Sequence, residues 1–340
     1  MGGSKSKMVI MFVLLLIILE GGWSEGCLDH ERFALLRLQH FFNDPYNYLP
    51  NRVDDEGATD CCQWERVECS NTTGRLIALD LFGTYWREYS WYLNASLFTP
   101  FQQLESLDLH GNNIAGFVEN EGLERLSNLK RLDLSYNLFN NSILSSVARL
   151  SSLALLYLSG NRLEGSIDVK EFDSLSNLEE LDMSYNEIDN FEVPQGYRGL
   201  RKLKSLHLSG VGIRDGSKLL QSMGSFPSLN TLHLSFTSFT KTVTTTRELH
   251  SFTNLEYLRL DDSSLHISLL QSIASIFPSL KNLSMLGGKV NGLLRGQGFP
   301  HFKSLEYLNM DFTRIALNTN FLQIISESMP SLKYLSLSDS

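Results

Sequence analysis

After Cys69 the sequence has no cysteine, and after Leu19 it has no apolar run long enough to cross a bilayer. The first absence excludes a disulfide framework for most of the chain. The second leaves no internal membrane span, which needs roughly 20 apolar residues. Positive charge is in deficit as well: 29 Lys and Arg against 38 Asp and Glu give a formal net charge of −9. That argues against nucleic-acid binding, which needs a basic face. Catalytic signatures are missing too. The eight histidines are scattered, and no G-x-S-x-G, H-E-x-x-H or P-loop occurs. The sequence therefore points to a non-enzymatic chain with no cofactor and no metal.

What is present is a period. The phrase L-x-x-L-x-L-x-x-N reads Leu104-Leu107-Leu109-Asn112, Leu129-Leu132-Leu134-Asn137, Leu153-Leu156-Leu158-Asn161 and Leu178-Leu181-Met183-Asn186. Leu76-Leu79-Leu81 opens the series. Later units keep the leucines and lose the asparagine: Leu203-Leu206-Leu208 with Val211, Leu229-Leu232-Leu234 with Thr237, Leu255-Leu258-Leu260 with Ser263, Leu280-Leu283-Met285 with Gly288, and Leu305-Leu308-Met310 with Thr313. Leu332-Leu335-Leu337 is the last. This is the leucine-rich-repeat signature, with a step of about 25 residues. The fold expected is an α/β repeat, a right-handed leucine-rich-repeat solenoid with a parallel concave β-sheet and a disulfide-bonded helical N-terminal cap. Residues 73–340 form about eleven repeats, the last incomplete. Alternation along x-L-x-L-x turns leucines inward and the other residues onto the concave side. The asparagine amide can bond backbone groups of adjacent coils and make an internal ladder, which Val211 and Gly288 break and Thr or Ser replace only in part.

A second period occupies the last third. Leu219-Leu220-Gln221-Ser222 leads to Phe226-Pro227-Ser228-Leu229, Leu269-Leu270-Gln271-Ser272 leads to Phe277-Pro278-Ser279-Leu280, and Leu322-Gln323-Ile324-Ile325 leads to Met329-Pro330-Ser331-Leu332. The apolar spacing is helical and each helix ends before its proline. Alternate coils thus carry a convex helix, while residues 240–248 and 293–298 read as looser loops.

Residues 1–26 read as a signal peptide: Lys5 and Lys7, an apolar core from Met8 to Leu19, then Gly21, Gly22, Ser24 and Gly26. Residues 27–72 form a cap, with Asp29 as N-cap of a helix carrying Phe33, Leu35, Leu36, Leu38 and Phe41. A solenoid exposes the end of its core unless something covers it, and Trp64 is expected to pack on the first coil. An insertion holding Tyr85, Trp86, Trp91 and Tyr92 lengthens the first unit. Cys27, Cys61, Cys62 and Cys69 read as two disulfides in an oxidising compartment. Joining adjacent Cys61 and Cys62 is strained, which leaves two connectivities. Asn71, Asn94, Asn140 and Asn282 each open an N-x-S/T sequon. No cysteine cluster or polar coil follows the eleventh repeat, so the chain reads as an incomplete ectodomain.

The pattern Cys27…Cys61-Cys62-x-Trp64-x-x-Val67-x-Cys69, followed by coils such as Asn161-Arg162-Leu163-Glu164-Gly165-Ser166-Ile167, resembles the plant extracellular leucine-rich-repeat family. The irregular later coils are more similar to its receptor-like proteins than to its receptor kinases. The resemblance implies a cell-surface receptor in defence or development: an ectodomain, one membrane helix and a short tail, acting through co-receptor kinases at the plasma membrane. It implies passage through the secretory pathway and pairing of Cys27 with Cys61 and Cys62 with Cys69. A membrane is a partner only if the chain continues beyond Ser340. The family's proline after Gly-x-Ile is absent, since Asp168 follows Ile167, which puts the regular second strand of each coil in doubt. The rival expectations are a secreted inhibitor of a microbial cell-wall hydrolase, similar to polygalacturonase inhibitors, and a truncated decoy.

Function is expected on the concave sheet. The residue between the two inward leucines gives a column: Asp80, Asp108, Asp133, Tyr157, Asp182, His207, His233, Arg259, Ser284, Asn309 and Ser336. The aspartates belong to the repeat's default wording. Tyr157, His207, His233, Tyr257, Arg259, Tyr307 and Asn309 depart from it and are the candidate ligand-binding residues, because aromatic and Arg side chains anchor bound peptides. The groove should run from acidic at the front to basic and aromatic over coils six to ten. An acidic or sulfated peptide, or an acidic glycan, is the expected ligand. His207 beside His233 also suggests a pH sensor. A glycan on Asn282 would crowd the same groove.

Overall fold

The computed structural model describes residues 27–42, 49, 60–85, 89–118, 122–213, 219–220, 222–239, 254–291, 301–314 and 321–338. The leader at 1–26, Trp86, Gln221, the loops at 240–248 and 293–298, and Ser340 lie outside them.

Short strands centred on the middle leucine of the phrase recur at each repeat, three residues long in every coil but the first. They are β2 (Leu76–Asp80), β4 (Ser106–Asp108), β6 (Arg131–Asp133), β7 (Leu155–Tyr157), β9 (Glu180–Asp182), β11 (Ser205–His207), β12 (Thr231–His233), β14 (Tyr257–Arg259), β16 (Asn282–Ser284), β18 (Tyr307–Asn309) and β19 (Tyr334–Ser336). All run parallel, in sequence order, in one sheet. β1 (Val67–Cys69) pairs antiparallel with β2 and covers the first edge of that sheet, placing Val67 opposite Leu79.

Each coil buries its own rung of leucines against the next. Leu107, Leu132, Leu156, Leu181, Leu206 and Leu232 are fully buried. At the eleventh coil Leu332, Leu335 and Leu337 are only partly buried. Beyond each strand the asparagines form the expected ladder. The Asn137 amide donates to Leu109 O and Leu134 O, while its Oδ1 accepts from Asn112 N and Ile114 N. Asn161 and Asn186 repeat the pattern on Leu134 and Leu158. Where the asparagine is lost, a hydroxyl stands in: Thr313 donates to Met285 O, while Ser263 donates to Leu234 O and accepts from Thr237 N. Around Val211 a serine ladder continues instead: Ser184 Oγ accepts from Ser209 N, and Ser209 Oγ accepts from Ser235 N.

The outer side varies. Early coils turn through short 3-10 segments such as Ala95–Phe98 and Val169–Phe172 and through a short helix, α2 (Ser142–Val147). Later ones carry α3 (Ile267–Ile276) and α4 (Phe321–Ser328), each ending before its proline as the spacing predicts. At the coil of Leu219, the described residues Leu219, Leu220 and Ser222 are helical and run into a 3-10 turn, Met223–Ser225, ahead of Pro227. The doubt about second strands is corrected. Parallel pairs join β3 (Trp91–Leu93) to β5 (Ile114–Phe117), β8 (Glu164–Asp168) to β10 (Glu187–Glu192), and β13 (Ser238–Phe239) through β15 (Ser264–His266) to β17 (Lys289–Asn291). Within β8, Gly165 takes a left-handed φ of +68°, which glycine holds freely.

In the cap, α1 (Asp29–Phe42) buries Ala34, Leu35, Leu38 and Phe42. The helix carries Phe33, Leu35, Leu36, Leu38 and Phe41 as expected, but Asp29 is not its N-cap. Asp29 lies inside the first turn, whose N–H groups from Glu31 and Arg32 reach Leu28 O. Phe33 and Phe41 are exposed, because the helix turns its Ala34–Leu38–Phe42 stripe, not the Phe33 side, to the core. Phe41 instead meets Trp91 at 5.4 Å between ring centroids, and Trp91 stacks on Tyr85 at 4.2 Å. The aromatic insertion thus seals the cap onto the first coils. Trp64 is buried as expected. Disulfides join Cys27 to Cys61 and Cys62 to Cys69. An unforeseen tie is Glu31, wholly buried on α1, which accepts from Arg75 Nε at 2.9 Å and from Leu76 N at 3.3 Å.

Two stability outcomes follow. Glu31→Ala leaves Arg75 and Leu76 N without their acceptor in a buried place, and chemical denaturation should show a loss of about 3 kcal/mol. Asn161→Ala removes four buried bonds and should lose about 2 kcal/mol, against about 1 kcal/mol for Thr313→Ala, which removes one.

Candidate functional site on the concave sheet

The register of the sheet settles which residues share a face. Asp80, Asp108, Asp133, Tyr157, Asp182, His207, His233, Arg259, Ser284, Asn309 and Ser336 are partners across successive strand pairs. One step earlier runs a second outward column with Arg131, Glu180, Tyr257, Asn282, Tyr307 and Tyr334. All seven candidate residues therefore lie on one surface, although Tyr157 stands apart from the rest.

The aspartates do structural work. Asp108 Oδ1 accepts from His110 N, Asp133 Oδ1 from Ser135 N and Asp182 Oδ1 from Ser184 N, each closing the turn that ends its strand. Asn309 does the same for Asp311 N, so its carbonyl oxygen is already engaged.

Electrostatics differ from the expected acidic-to-basic gradient. Arg131, unremarked in the sequence because it falls in the other column, reaches Asp133 at 3.0 Å and Asp108 at 3.5 Å, and its guanidinium lies 5.2 Å from the Tyr157 ring centroid. It offsets the acidic front. Burial, with the Asp133 charge acting in the same direction, raises the Asp108 carboxyl above its ordinary range. Asp108, His110 and Asp133 offer ligand atoms within 4.8 Å of one another, yet Arg131 bridges the two carboxylates as a resident cation. Tyr157 is pushed up by burial and by neighbouring Glu180.

In the second half, the His207 and His233 rings are 4.2 Å apart. His207 Nε2 bonds Ser205 Oγ at 2.7 Å. His233 is lowered to about 4, first by burial and then by the charges of His207 and Arg259. It is thus neutral across the mildly acidic range, and the expected sensor does not operate at His233 there. Arg259 Nε donates to Asp261 Oδ2 at 2.7 Å. Tyr257 and Tyr307 are 45% and 38% exposed, and Tyr334 lies 6.4 Å from Tyr307. Asn282, with its sequon, sits between Tyr257 and Tyr307 in register. The other sequons are away from this face: Asn71 in the turn after β1, Asn94 capping Ala95–Phe98, and Asn140 bonded to Ser142 before α2.

Along the strands' leading edge a charge ladder links coils: Glu105–Lys130, Glu179–Lys204, Glu256–Lys281 and Glu306–Lys333, at 2.7 to 2.8 Å. Its signal, Glu or Lys directly after the first leucine of the phrase, is present in the sequence.

The depressed His233 gives a pH prediction. The unfolded chain takes up a proton near 6.5 and the folded chain only near 4, so stability is complete above pH 6.5 and falls as pH drops from 6.5 to about 4. Nuclear magnetic resonance should find the His233 ring titrating near pH 4. His233→Asn should flatten the stability loss in that window.

Family models match at three places: a leucine rich repeat N-terminal domain over residues 28–70, and leucine rich repeats over residues 95–163 and 174–190. Cuscuta receptor 1 of Solanum lycopersicum is 31% identical over 309 residues, 86% of this chain and 22% of that protein. Receptor-like protein 56 of Arabidopsis thaliana is 38% identical over 158 residues, 44% of this chain and 16% of that one. The chain thus spans about a fifth of the length of these curated relatives. Among solved structures, the Arabidopsis receptor kinase HAESA in complex with the peptide hormone IDA and the co-receptor SERK1 matches with a TM-score of 0.59 at 24% identity, over 84% of this chain and 50% of that one. The HAESA ectodomain with an extended IDA peptide gives 0.56 at 22%, over 91% and 53%. These two establish the fold. Together with the cap, its disulfides and the curated relatives, they place the chain in the plant leucine-rich-repeat receptor-like protein family.

Proposed function

We propose that this chain is the ligand-binding part of an extracellular receptor-like protein, taking a peptide along the concave sheet over coils six to ten and acting through a co-receptor kinase. In this reading residues 1–26 deliver the chain to the secretory pathway. The observation that carries the proposal is the cluster of Tyr257, Arg259 and Tyr307, exposed on two adjoining columns of one sheet. Rigid aromatic rings and a guanidinium supply contact area at small entropic cost. The Asp261 bond uses Nε of Arg259, and its terminal nitrogens carry no bond among the described residues. They suit a carboxylate or sulfate in two-pronged contact. His207 and His233 add polar contact, His233 without charge. The HAESA complexes, which hold a peptide hormone, support a peptide over a glycan on this face.

Surface plasmon resonance on the secreted protein, with synthetic tyrosine-sulfated peptides and their unsulfated counterparts, tests this. Preference for the sulfated set is expected, with a loss of about tenfold or more in Arg259→Ala. Binding unchanged in a Tyr257→Ala/Arg259→Ala double variant contradicts the reading.

A further inference from the structure

The sequon Asn282-Leu283-Ser284 is placed unlike the other three. An N-x-S/T acceptor ordinarily falls in a surface loop, and Asn71, Asn94 and Asn140 stand in a turn or at the start of a helical segment. Asn282 instead opens β16, an inner strand of the concave sheet, paired with β14 on one side and β18 on the other. Leu283 is fully buried, so Asn282 and Ser284 project from the opposite, open face. Asn282 is half-buried, and its side-chain amide makes no hydrogen bond among the described residues.

Its partners in register are the exposed rings of Tyr257 and Tyr307, one strand away on either side, or about 5 Å. Ser284 is flanked in the same way by Arg259 and Asn309. A glycan rooted at Asn282 therefore starts between two tyrosines. A pyranose ring presents a face of C–H bonds that packs on an aromatic ring, so the first N-acetylglucosamine is held against Tyr257 or Tyr307, and the sugars after it lie over Arg259 and Asn309. These four are the ligand-facing residues of coils eight to ten.

Folding sets how often the sugar is added. Transfer to asparagine needs the sequon's hydroxyl and a backbone free to bend into the transferase. In the folded sheet both are engaged. Ser284 Oγ donates to Asp261 Oδ1 at 2.5 Å, Asn282 N donates to Glu256 O at 2.9 Å, and Ser284 O accepts from Leu260 N at 2.8 Å. The acceptor is open only until β16 pairs, and modification competes with the stacking of coils eight and nine. We propose, building on the peptide site assigned above, that Asn282 is glycosylated in a fraction of chains and that its glycan closes that site. Unmodified chains bind peptide and modified chains do not, so occupancy of one sequon sets the receptive share of the protein.

Mass spectrometry of peptides from the secreted protein, deglycosylated in heavy-oxygen water, reads occupancy at Asn282 with no ligand present. Partial occupancy is expected, abolished in Asn282→Gln and raised in Ser284→Thr, which keeps the hydroxyl in a better acceptor. An Asn282 that is never modified, or always modified, overturns the proposal. Nitration by tetranitromethane reads the covering, also without peptide. The slow fraction of Tyr257 and Tyr307 should equal the occupied fraction and vanish in Asn282→Gln, with Tyr185 as the unaffected reference; equal rates in Asn282→Gln and Ser284→Thr overturn it. In surface plasmon resonance with the tyrosine-sulfated peptides, binding capacity should match the unmodified fraction, rising in Asn282→Gln and falling in Ser284→Thr at unchanged Kd. Capacity independent of occupancy contradicts closure. Shielded tyrosines with no peptide bound even by Asn282→Gln would instead overturn the peptide reading and leave the glycan site standing.

Discussion

Each leucine rung in this protein packs against the rungs of its neighbouring coils, with the cap closing the first and outer-side residues such as Phe172 and Ile273 filling the back. A solenoid has no common centre, so burial is strictly between neighbours. That constraint forbids slippage. A strand shifted by one residue against its neighbour would turn Leu206 or Leu232 outward and bring His207 or His233 into the core. The unbroken register from Asp80 to Ser336 is therefore a consequence of apolar burial, and the alignment of surface residues into columns comes with it. Function inherits its geometry from the core.

Burying leucines this way also buries the backbone that turns each corner. Its N–H and C=O groups need partners that the short strands cannot supply. The first half meets that need with asparagine, whose amide serves two coils at once. The second half does so with single hydroxyls at Ser263 and Thr313 and with the Ser184–Ser209–Ser235 relay. Fewer bonds per coil coincide with the longer, more varied coils where the departures from the acidic consensus gather. Those coils are where Tyr257, Arg259 and Tyr307 stand.

Much of this was legible in the sequence because period is a long-range signal carried by every coil. The leucine phrase gave the sheet, the column and even the loss of ladder bonds at Val211. Local side-chain geometry was less legible. Arg131 escaped notice because it lies two residues before Asp133, in the other outward column, yet it reaches two of the aspartates of the column chosen. The Arg259–Asp261 bond joins residues two apart, and nothing in their spacing says that the strand end will fold one carboxylate back onto the guanidinium. Glu31 and Arg75 are 44 residues apart, so no local pattern links them. Phe33 and Leu38 look alike in sequence; only the rotation of α1 against the first coils decides which is buried. Ser-Tyr-Asn and Ser-Gly-Asn are plain in the sequence, but the left-handed backbone that Tyr136, Gly160 and Tyr185 share is not stated by the letters.

The central claim is that alternate residues of each strand face the core and the open inner wall, in the same phase over all coils. Thiol labelling of single cysteine variants tests it most directly. Replacements at His207, His233 and Arg259 should react under native conditions about as fast as in the unfolded chain, and replacements at Leu206, Leu232 and Leu258 only after unfolding. Native reactivity at any of the three leucine positions equal to that of its neighbour would contradict the account.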